Sequence, residues 1–288
     1  RKTYGFEFVI FQVRVSPLAP PFYISHFAVT DPDASRPFLY EYRSALGEQP
    51  APSRGVAFDV DGWRLTAYDG NDTIQASMAS AAIDVALKSE KPAMLHGGAG
   101  LLPFAGAGWT YYYTRPRLAV TGTLTVDGVE QQVTGDAWFD HQWGDFDPTF
   151  GDGGWDWTSA QLEDGSELMA VVLYDNAGTA QGGFASYVDP GGNETYLDAK
   201  EFSLRATGSW TSPRTNVTYP SGWHITVASL GLDLAYAPVR PDQELDVRQS
   251  TGNIYWEGAV DIAGTRGTAP IAGRGYVELT GYDTRKAP

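Results

Sequence analysis

The sequence predicts an all-β protein made of two tandem antiparallel β-barrels, with short helices at most. Apolar and polar residues alternate with a period of two through most of the chain, as they do in strands that are buried on one face. Turn-forming residues, 33 glycines and 18 prolines among 288 residues, are spread along its length. Both halves show the same succession of short strands and hairpin turns, which suggests two antiparallel barrels or sandwiches in tandem. We therefore predict an N-terminal barrel over residues 1–147 and a C-terminal barrel over 148–288, divided at the glycine-rich break near Asp147–Gly153.

The N-terminal half begins with a segment that is apolar on both faces, as expected for a strand covered on both sides. Its predicted strands are Tyr4–Gln12, Ser25–Thr30, a strand around Ile83–Leu87, Tyr111–Arg117, Ala119–Val126 and Gln131–Gly135. The alanine-rich residues 76–86 are also compatible with a helix. Asp127-Gly128 predicts a tight hairpin turn, because both residues tolerate positive φ angles.

The C-terminal half repeats this organisation after the glycine-rich break. Its predicted strands are Trp155–Leu162, Glu167–Tyr174, Trp223–Ser229, Ile254–Val260 and Gly275–Tyr282. Asp164-Gly165 and the segment Asp189–Gly192 predict further hairpin turns.

Composition excludes several functions. A formal charge of −15, with acidic and basic residues intermixed, opposes binding to nucleic acid or anionic lipid surfaces. No apolar run is long enough for a membrane span. Cysteine is absent, and the four histidines, at 26, 96, 141 and 224, lack the spacing of metal ligands. No phosphate-binding loop or Gly-x-Ser-x-Gly motif occurs, so we expect neither a cofactor nor a metal.

The segment Asp136–Trp157 is the most unusual part of the chain. It holds four tryptophans, His141 and six aspartates within 22 residues. Solvated loops are poor in tryptophan, and core strands rarely carry so many carboxylates. The combination indicates an aromatic-walled cavity with acid and base groups, in which desolvation shifts pKa values. The alternative is a barrel rim whose tryptophans pack and whose aspartates form turns.

A series of ordered motifs spans nearly the whole chain. These are residues 4–12 (YGFEFVIFQ), 25–31 (SHFAVTD), 91–97 (KPAMLHG), 111–118 (YYYTRPRL), 135–145 (GDAWFDHQWGD), 154–157 (GWDW), 255–260 (YWEGAV) and 275–282 (GYVELTGY). The series resembles the AttH / carotenoid 1,2-hydratase (CrtC-like) family, whose relatives include kievitone hydratase and lipocalin-fold Diels–Alderases. Residues 141–144, His-Gln-Trp-Gly, resemble the AttH branch more than the carotenoid hydratases.

The resemblance implies two lipocalin-like (calycin) barrels with an apolar small-molecule cavity between or within them. Members of the family usually carry an earlier strand with a Trp-Trp-Tyr type motif, so the first strand of the N-terminal barrel is expected to precede Arg1. The resemblance also favours a secreted or cell-envelope protein. Native targeting cannot be read from a chain that starts at arginine.

Three residues are the candidates for proton transfer: Asp140, His141 and Asp156. In a regular strand Asp140 and His141 point to opposite faces, so both serve one site only if a bulge falls nearby, for which Gly144 is a candidate. Otherwise one of them is structural, His141 for example as a core imidazole. Asp156 faces a cavity only if Trp155 and Trp157 line the outside of their barrel.

Substrate contacts are expected from aromatic residues and from two polar residues inside apolar strands. The candidates are Trp138, Trp143, Trp155, Trp157, Tyr111, Tyr113, Glu7 and His26. Glu7, Glu257 and Glu278 are either buried acids with raised pKa values or, as the favoured interpretation, partners of Arg43, Arg115 or Arg117. His96 precedes two glycines, so a turn role is as plausible as a ligand role.

Three functions fit these observations. The first is a cofactor-free hydratase or isomerase that adds water to, or shifts, a C=C bond of an apolar isoprenoid-like substrate by acid catalysis. The second is a carrier of such a molecule without catalysis. The third is a pericyclase acting on a polyketide or terpenoid, which needs shape more than acid strength. The expected partner is an apolar small molecule, and the expected state is a monomer or a homodimer.

Overall fold

The computed structural model describes residues 2–14, 16, 18–103, 108–146 and 153–284. Within these ranges the regular structure is β-strand, apart from two 3₁₀ turns at His96–Gly98 and Ala228–Leu230. All strand pairs are antiparallel, and the predicted all-β fold is confirmed. No helix in the described part of the chain has the length and apolar character needed to cross a membrane.

The N-terminal half forms two sheets. The first sheet has the order β1-β2-β3 and consists of β1 (Gly5–Val13), β2 (Phe22–Thr30) and β3 (Leu39–Leu46). The second sheet consists of β4 (Val56–Val60), β5 (Trp63–Tyr68), β6 (Asn71–Ser77), β7 (Ala81–Ser89), β8 (Met94–Leu95), β9 (Leu101–Pro103), β10 (Gly108–Val126) and β11 (Val129–Phe146). Its order is β11-β10-β7-β6-β5-β4, with β8 and β9 paired to β10. The alanine-rich residues therefore form strands rather than a helix.

The C-terminal half forms a ten-stranded sheet and a small hairpin. The third sheet consists of β12 (Gly154–Leu162), β13 (Glu167–Tyr174), β14 (Ala180–Val188), β15 (Glu194–Asp198), β16 (Ser203–Ala206), β19 (Trp223–Val227), β20 (Leu232–Pro238), β21 (Glu244–Asp246), β22 (Ile254–Arg266) and β23 (Ala269–Leu279). The hairpin pairs β17 (Ser209–Thr211) with β18 (Thr218–Pro220). In the third sheet β12 lies beside β23, so the first and last long strands of this half are neighbours.

The long hairpin β10–β11 differs from the sequence prediction in its continuity. The sequence predicts two strands, Tyr111–Arg117 and Ala119–Val126, whereas one strand of 19 residues runs through both and through Pro116. The register shifts between Arg115 and Leu118, and this bulge accommodates the proline, which has no N–H for the ladder. The predicted turn is confirmed, with Asp127 at φ 49° and Gly128 at φ 77°.

Each half has its own hydrophobic core, and further clusters join the halves. Phe27, Trp63 and Leu118 belong to the N-terminal core, and Trp223 and Trp256 to the C-terminal core. A third cluster combines residues of both halves, and a fourth packs the first sheet against the loop and strand around β21 and β22. The predicted domain division falls mainly on residues 147–152, which lie outside the described residues, and it remains a prediction.

A buried ionic group also joins the halves. Glu167 of β13 is fully buried and receives Arg117 Nε at 2.6 Å and Lys91 Nζ at 2.7 Å. Lys91 also donates to the carbonyl oxygen of Asp189 at 2.9 Å, and Arg117 donates to that of Leu162 at 3.1 Å. Both cations come from the N-terminal half and the carboxylate from the C-terminal half. The group therefore fixes the second sheet against the third.

Candidate active site

The cavity of interest opens where the three large sheets meet. Its volume is about 3330 Å³, well above the roughly 300–1,000 Å³ of ordinary ligand pockets, so it holds more space than one small substrate fills. Carboxyl groups from all three sheets line it, together with aromatic side chains. The residues that form its polar centre are Glu7, Tyr112, Asp140, Tyr255, Glu257, Tyr276 and Glu278.

Asp140 of β11 is the carboxyl group that the second sheet contributes. Its Oδ2 accepts a hydrogen bond from Tyr112 Oη at 2.9 Å, and its Oδ1 accepts hydrogen bonds from Trp138 Nε1 at 2.8 Å and from Thr114 Oγ1. Trp157 Nε1 in turn donates to Tyr112 Oη at 3.1 Å. Desolvation by these surroundings raises the pKa of Asp140 to about 6, although the three donors favour its charged form.

The other three carboxyl groups are glutamates from the first and third sheets. Glu257 of β22 and Glu278 of β23 are directly opposite each other in the ladder. Glu7 of β1 projects toward them from the first sheet, and its Oε1 accepts a hydrogen bond from Tyr255 Oη at 2.9 Å. Gly5 permits this approach, because a Cβ at that position would lie 2.8 Å from the Cβ of Ala259 on β22.

Burial sets the protonation of these glutamates. It raises the pKa of Glu7 to about 8 and that of Glu278 to about 7, and it raises the pKa of Glu257 well above its usual range. The negative charges of Glu7, Glu278 and Asp140 raise the pKa of Glu257 further. A hydrogen bond also links the Glu7 and Glu257 carboxyl groups, and two carboxyl groups can form one only when one of them is protonated. The cluster therefore retains protons at neutral pH, and its members titrate together.

The favoured interpretation of these glutamates as partners of arginine is wrong. Arg115 forms an ion pair with Asp72, Arg117 with Glu167, and Arg43 with Glu41. The arginines are thus engaged elsewhere, and like-charged carboxyl groups surround one another instead. Such an arrangement is costly for folding and is typical of functional sites.

Two fully buried histidines each bond a hydroxyl group that donates to a carboxyl group of the cluster. His26 bonds Tyr255 Oη, the donor to Glu7, and His96 bonds Thr114 Oγ1, a donor to Asp140. Burial lowers the pKa of His26 to about 4 and that of His96 to about 3, so both imidazoles are neutral at neutral pH. His96 thus has a specific partner in the site rather than only a role in a turn.

His141 lies on the opposite face of β11 from Asp140. The pairing of β10 with β11 is regular from Gly108 to Arg115, and the bulge lies beyond it rather than at Gly144. His141 Nδ1 bonds Tyr113 Oη at 3.3 Å, and its ring lies 4.6 Å from that of Trp143. Burial is the main influence that lowers the pKa of His141.

The predicted substrate residues accordingly divide into two groups. Tyr111, Tyr113 and Trp143 lie with His141, and Tyr111 is 5.3 Å from Trp143 between ring centres. Trp138, Trp155 and Trp157 lie with Asp140, where the Trp155 indole hydrogen-bonds Glu278 and the rings of Trp138 and Trp157 are 6.1 Å apart. Both groups line the large cavity except for Tyr111, which the prediction placed there wrongly, and only the second group contacts the acid cluster.

Asp156 is placed apart from the cluster. It alternates with Trp155 and Trp157 along β12, and Tyr282 Oη donates to its Oδ1 at 2.8 Å and to its Oδ2 at 3.0 Å. It is 5% exposed and does not line the cavity. The indoles of Trp155 and Trp157 therefore face the cavity from the outside of the C-terminal barrel. Asp156 lies on the opposite face of β12 and points into the interior of that barrel. The described residues contain no group of three or more side chains arranged to hold a metal ion.

The sequence alone did not single out Tyr112, Thr114 and Tyr255. Tyr112 and Thr114 share the face of Asp140 because Thr114 is directly opposite Asp140 across the hairpin. Tyr112 and Thr114 alternate with Tyr111 and Tyr113 along β10, so the pairing of the two strands is enough to show which of them lie on the Asp140 face. Tyr255 follows no such local signal, since its partners Glu7 and His26 are more than 200 residues away in the chain.

The raised pKa of Glu7 gives a prediction about stability. The folded protein keeps a proton on Glu7 that the unfolded chain releases above the ordinary value of 4.5, so this stability is present below about pH 4.5 and is lost as the pH rises through about 8. Glu7→Gln imitates the protonated acid and is free of this loss. The difference in unfolding free energy between the variant and the wild type should therefore grow in favour of the variant by roughly 1–4 kcal/mol from pH 5 to pH 8.

Urea denaturation at both pH values measures this difference. Glu130→Gln, at an exposed position of β11, is the matched control, with an expected effect below about 0.5 kcal/mol. A Glu7→Gln advantage that is equal at pH 5 and pH 8 would show that Glu7 is ionised in the folded protein.

Comparisons with known proteins agree with the resemblance. Residues 1–282 match the model of the family described as AttH-like. A solved protein of Nitrosomonas europaea assigned to AttH is 30% identical with a TM-score of 0.84, over 98% of this chain and 88% of that chain. Kievitone hydratase from Nectria haematococca is 18% identical with a TM-score of 0.71, over 96% of this chain and 84% of that chain. No curated protein sequence matches the chain.

The fold extends to one more distant protein. The structure of CghA is 10% identical with a TM-score of 0.57, over 96% of this chain and 88% of that chain. At 10% and 18% identity the likeness shows the fold alone. The match to the family model and the 30% identity with the Nitrosomonas protein show more than the fold, because both extend over nearly the whole chain. The chain belongs to the AttH-like family.

Proposed function

We propose that the protein is a cofactor-free acid–base enzyme that adds water to, or isomerises, a C=C bond of an apolar substrate. The observation that carries the proposal is the cluster of four carboxyl groups from three sheets, whose pKa values are raised to different extents. Acid and base roles arise where environments push the pKa values of neighbouring groups apart. A binding cavity for a neutral apolar molecule has no need of four such groups.

We assign the acid and base roles from the differences between these pKa values. Glu257 has its pKa raised well above the usual range and is the proton donor, while Asp140, at about 6, is ionised at neutral pH and is the base. Glu257 transfers its proton to one alkene carbon, which forms a C–H bond and leaves a cation on the neighbouring carbon. Water adds to that cation and passes its extra proton to Asp140. In isomerisation, Asp140 instead removes a proton from an adjacent carbon.

Two features of the cavity favour this chemistry. The indoles of Trp138, Trp155 and Trp157 provide electron-rich walls that stabilise a cation. Glu278 lies opposite Glu257 and experiences the charge of Asp140, so it can return the proton from the base to the acid. After this return the enzyme is in its starting state, and the net reaction is the addition of one water molecule or the shift of one double bond.

The test is product formation from a panel of isoprenoid and polyketide alkenes in deuterated water containing ¹⁸O. Hydration places one deuterium on carbon and one ¹⁸O in the new hydroxyl, and isomerisation places deuterium alone. Turnover with neither isotope contradicts the proposal and indicates a pericyclase. Saturable quenching of tryptophan fluorescence by these ligands without any turnover contradicts it in favour of a carrier.

A further inference from the structure

A chain of hydrogen bonds leads from Glu7 through His26 to the partly exposed Ser250. Tyr255 Oη donates to Glu7 Oε1 at 2.9 Å, His26 Nδ1 bonds Tyr255 Oη at 2.8 Å, and His26 Nε2 bonds Ser250 Oγ at 3.1 Å. Ser250 Oγ also donates to the carbonyl oxygen of Val247 at 3.0 Å. Every link joins groups that can both donate and accept a proton, except the final carbonyl.

A second chain of hydrogen bonds also runs from a carboxyl group through a hydroxyl group and a histidine to a serine, but its serine is buried. His96 Nε2 bonds Thr114 Oγ1 at 2.8 Å, Thr114 donates to Asp140, and His96 Nδ1 bonds Ser186 Oγ at 3.0 Å. Ser186 is fully buried, whereas Ser250 is partly exposed. Of the two chains, therefore, only the one through His26 has a serine that solvent can reach at its far end.

Hydrogen-bond geometry links the tautomer of His26 to the charge of Glu7. When Glu7 is ionised, Tyr255 donates its single hydroxyl hydrogen to Glu7, so His26 carries its proton on Nδ1. When Glu7 is protonated on Oε1, it donates that proton to Tyr255 Oη. Tyr255 then donates to Nδ1, and His26 carries its proton on Nε2, toward Ser250.

We propose that Ser250, His26, Tyr255 and Glu7 form a proton path that recharges the acid cluster, and that His26 changes tautomer whenever a proton passes. A proton from water enters at His26 Nε2 by way of Ser250, the proton on Nδ1 moves to Tyr255 Oη, and the Tyr255 proton moves to Glu7. One proton enters, one arrives, and the imidazole is neutral before and after. The purpose of the path rests on the proposed function: when the proton on Asp140 leaves to water in the cavity instead of returning through Glu278, the path restores one proton to the cluster.

The surroundings of His26 suit a path that holds no charge. Its ring stacks on that of Tyr255 at 5.8 Å and meets Phe11 edge-on at 5.3 Å. The ionisable groups that face it are Glu7 of β1, Tyr42 of β3 and Tyr255 of β22. Among the described residues the hydrogen-bond partners of the ring are hydroxyl groups and not carboxylates, so a lasting imidazolium is disfavoured and the proton is passed on rather than kept.

The experiment is ¹⁵N NMR of the histidine rings in the intact protein between pH 5 and pH 9. The chain has four histidines, and His26→Gln assigns the signals of His26. We expect His26 to be the Nε2–H tautomer at low pH and the Nδ1–H tautomer at high pH. The change should have the same midpoint as the titration of Glu7 and should occur without an imidazolium signal. A single tautomer at both pH values, or an imidazolium, overturns the path.

Two variants separate the path from mere packing. Glu7→Gln has no charge to lose, so it should fix His26 in one tautomer at every pH, while His96 keeps its wild-type behaviour. Tyr255→Phe preserves the ring but removes the connecting hydroxyl, so His26 should no longer respond to Glu7. A switch that persists in either variant contradicts the path. Deuterium in the product together with a single His26 tautomer would contradict the path and leave the acid chemistry standing. A change of tautomer without deuterium in any product would contradict the proposed reaction and leave the path standing.

Discussion

Asp140→Asn is expected to slow product formation about 10²–10⁴-fold, the usual effect of removing a general base. The amide oxygen can still accept hydrogen bonds from Trp138 and Thr114, and the NH2 group can donate to Tyr112 Oη, so the cavity keeps its shape, but the amide cannot take a proton. Affinity for an apolar ligand, measured by tryptophan quenching, should stay within a few fold. The measurement is the initial rate with the best substrate of the panel.

Two comparisons make this prediction specific. Glu130→Gln changes an exposed acid on the same strand and should leave the rate within about twofold. His141→Ala tests the other face of the strand, and its effect should be smaller than that of Asp140→Asn, because His141 points away from Asp140 and bonds Tyr113. A greater loss in His141→Ala than in Asp140→Asn would place the chemistry on the His141 face.

Glu167→Ala should lower the free energy of unfolding by about 3–5 kcal/mol, the usual cost of breaking a buried ion pair from one side. The substitution leaves Lys91 and Arg117 without their shared carboxylate, at side-chain exposures of 11% and 18%. It also weakens the contact between the two halves. Urea denaturation at neutral pH provides the measurement.

Asp261→Ala is the control for that prediction. The ion pair of Asp261 with Arg274 is 3.8 Å long and about 70% exposed on both sides, so its loss should change the stability by less than about 1 kcal/mol. Equal effects of the two substitutions would mean that the Glu167 group contributes no more than an exposed surface pair.

The fold was predictable because its signals are local. Period-two alternation identified most long strands, and Asp127-Gly128 identified the turn of the long hairpin. The bulge at Pro116 was not predicted, although it decides which side chains of β10 share the face of Asp140. A shift by one residue reverses the faces of a strand, and no local pattern reveals where it occurs.

The site was predictable only in part. The density of tryptophan and aspartate pointed to Asp140 and to its aromatic surroundings, and strand alternation correctly separated Asp140 from His141. The glutamates were recognised as unusual but were paired with arginines in the favoured interpretation, because isolated buried acids are costly. Their true partners come from other sheets. Glu7 meets Tyr255 across 248 positions of the chain, a contact that depends on how the halves pack.

The central claim is that the cavity holds a protonated carboxylic acid at neutral pH. Infrared spectroscopy tests it without any substrate, because the C=O stretch of a carboxylic acid is separate from the carboxylate bands. At pH 7 the wild type should show this acid band, which should shift on ¹³C labelling of glutamate and weaken in Glu257→Gln. A wild-type spectrum at pH 7 without a glutamic acid band, or a band that Glu257→Gln and Glu7→Gln leave unchanged, would contradict the account.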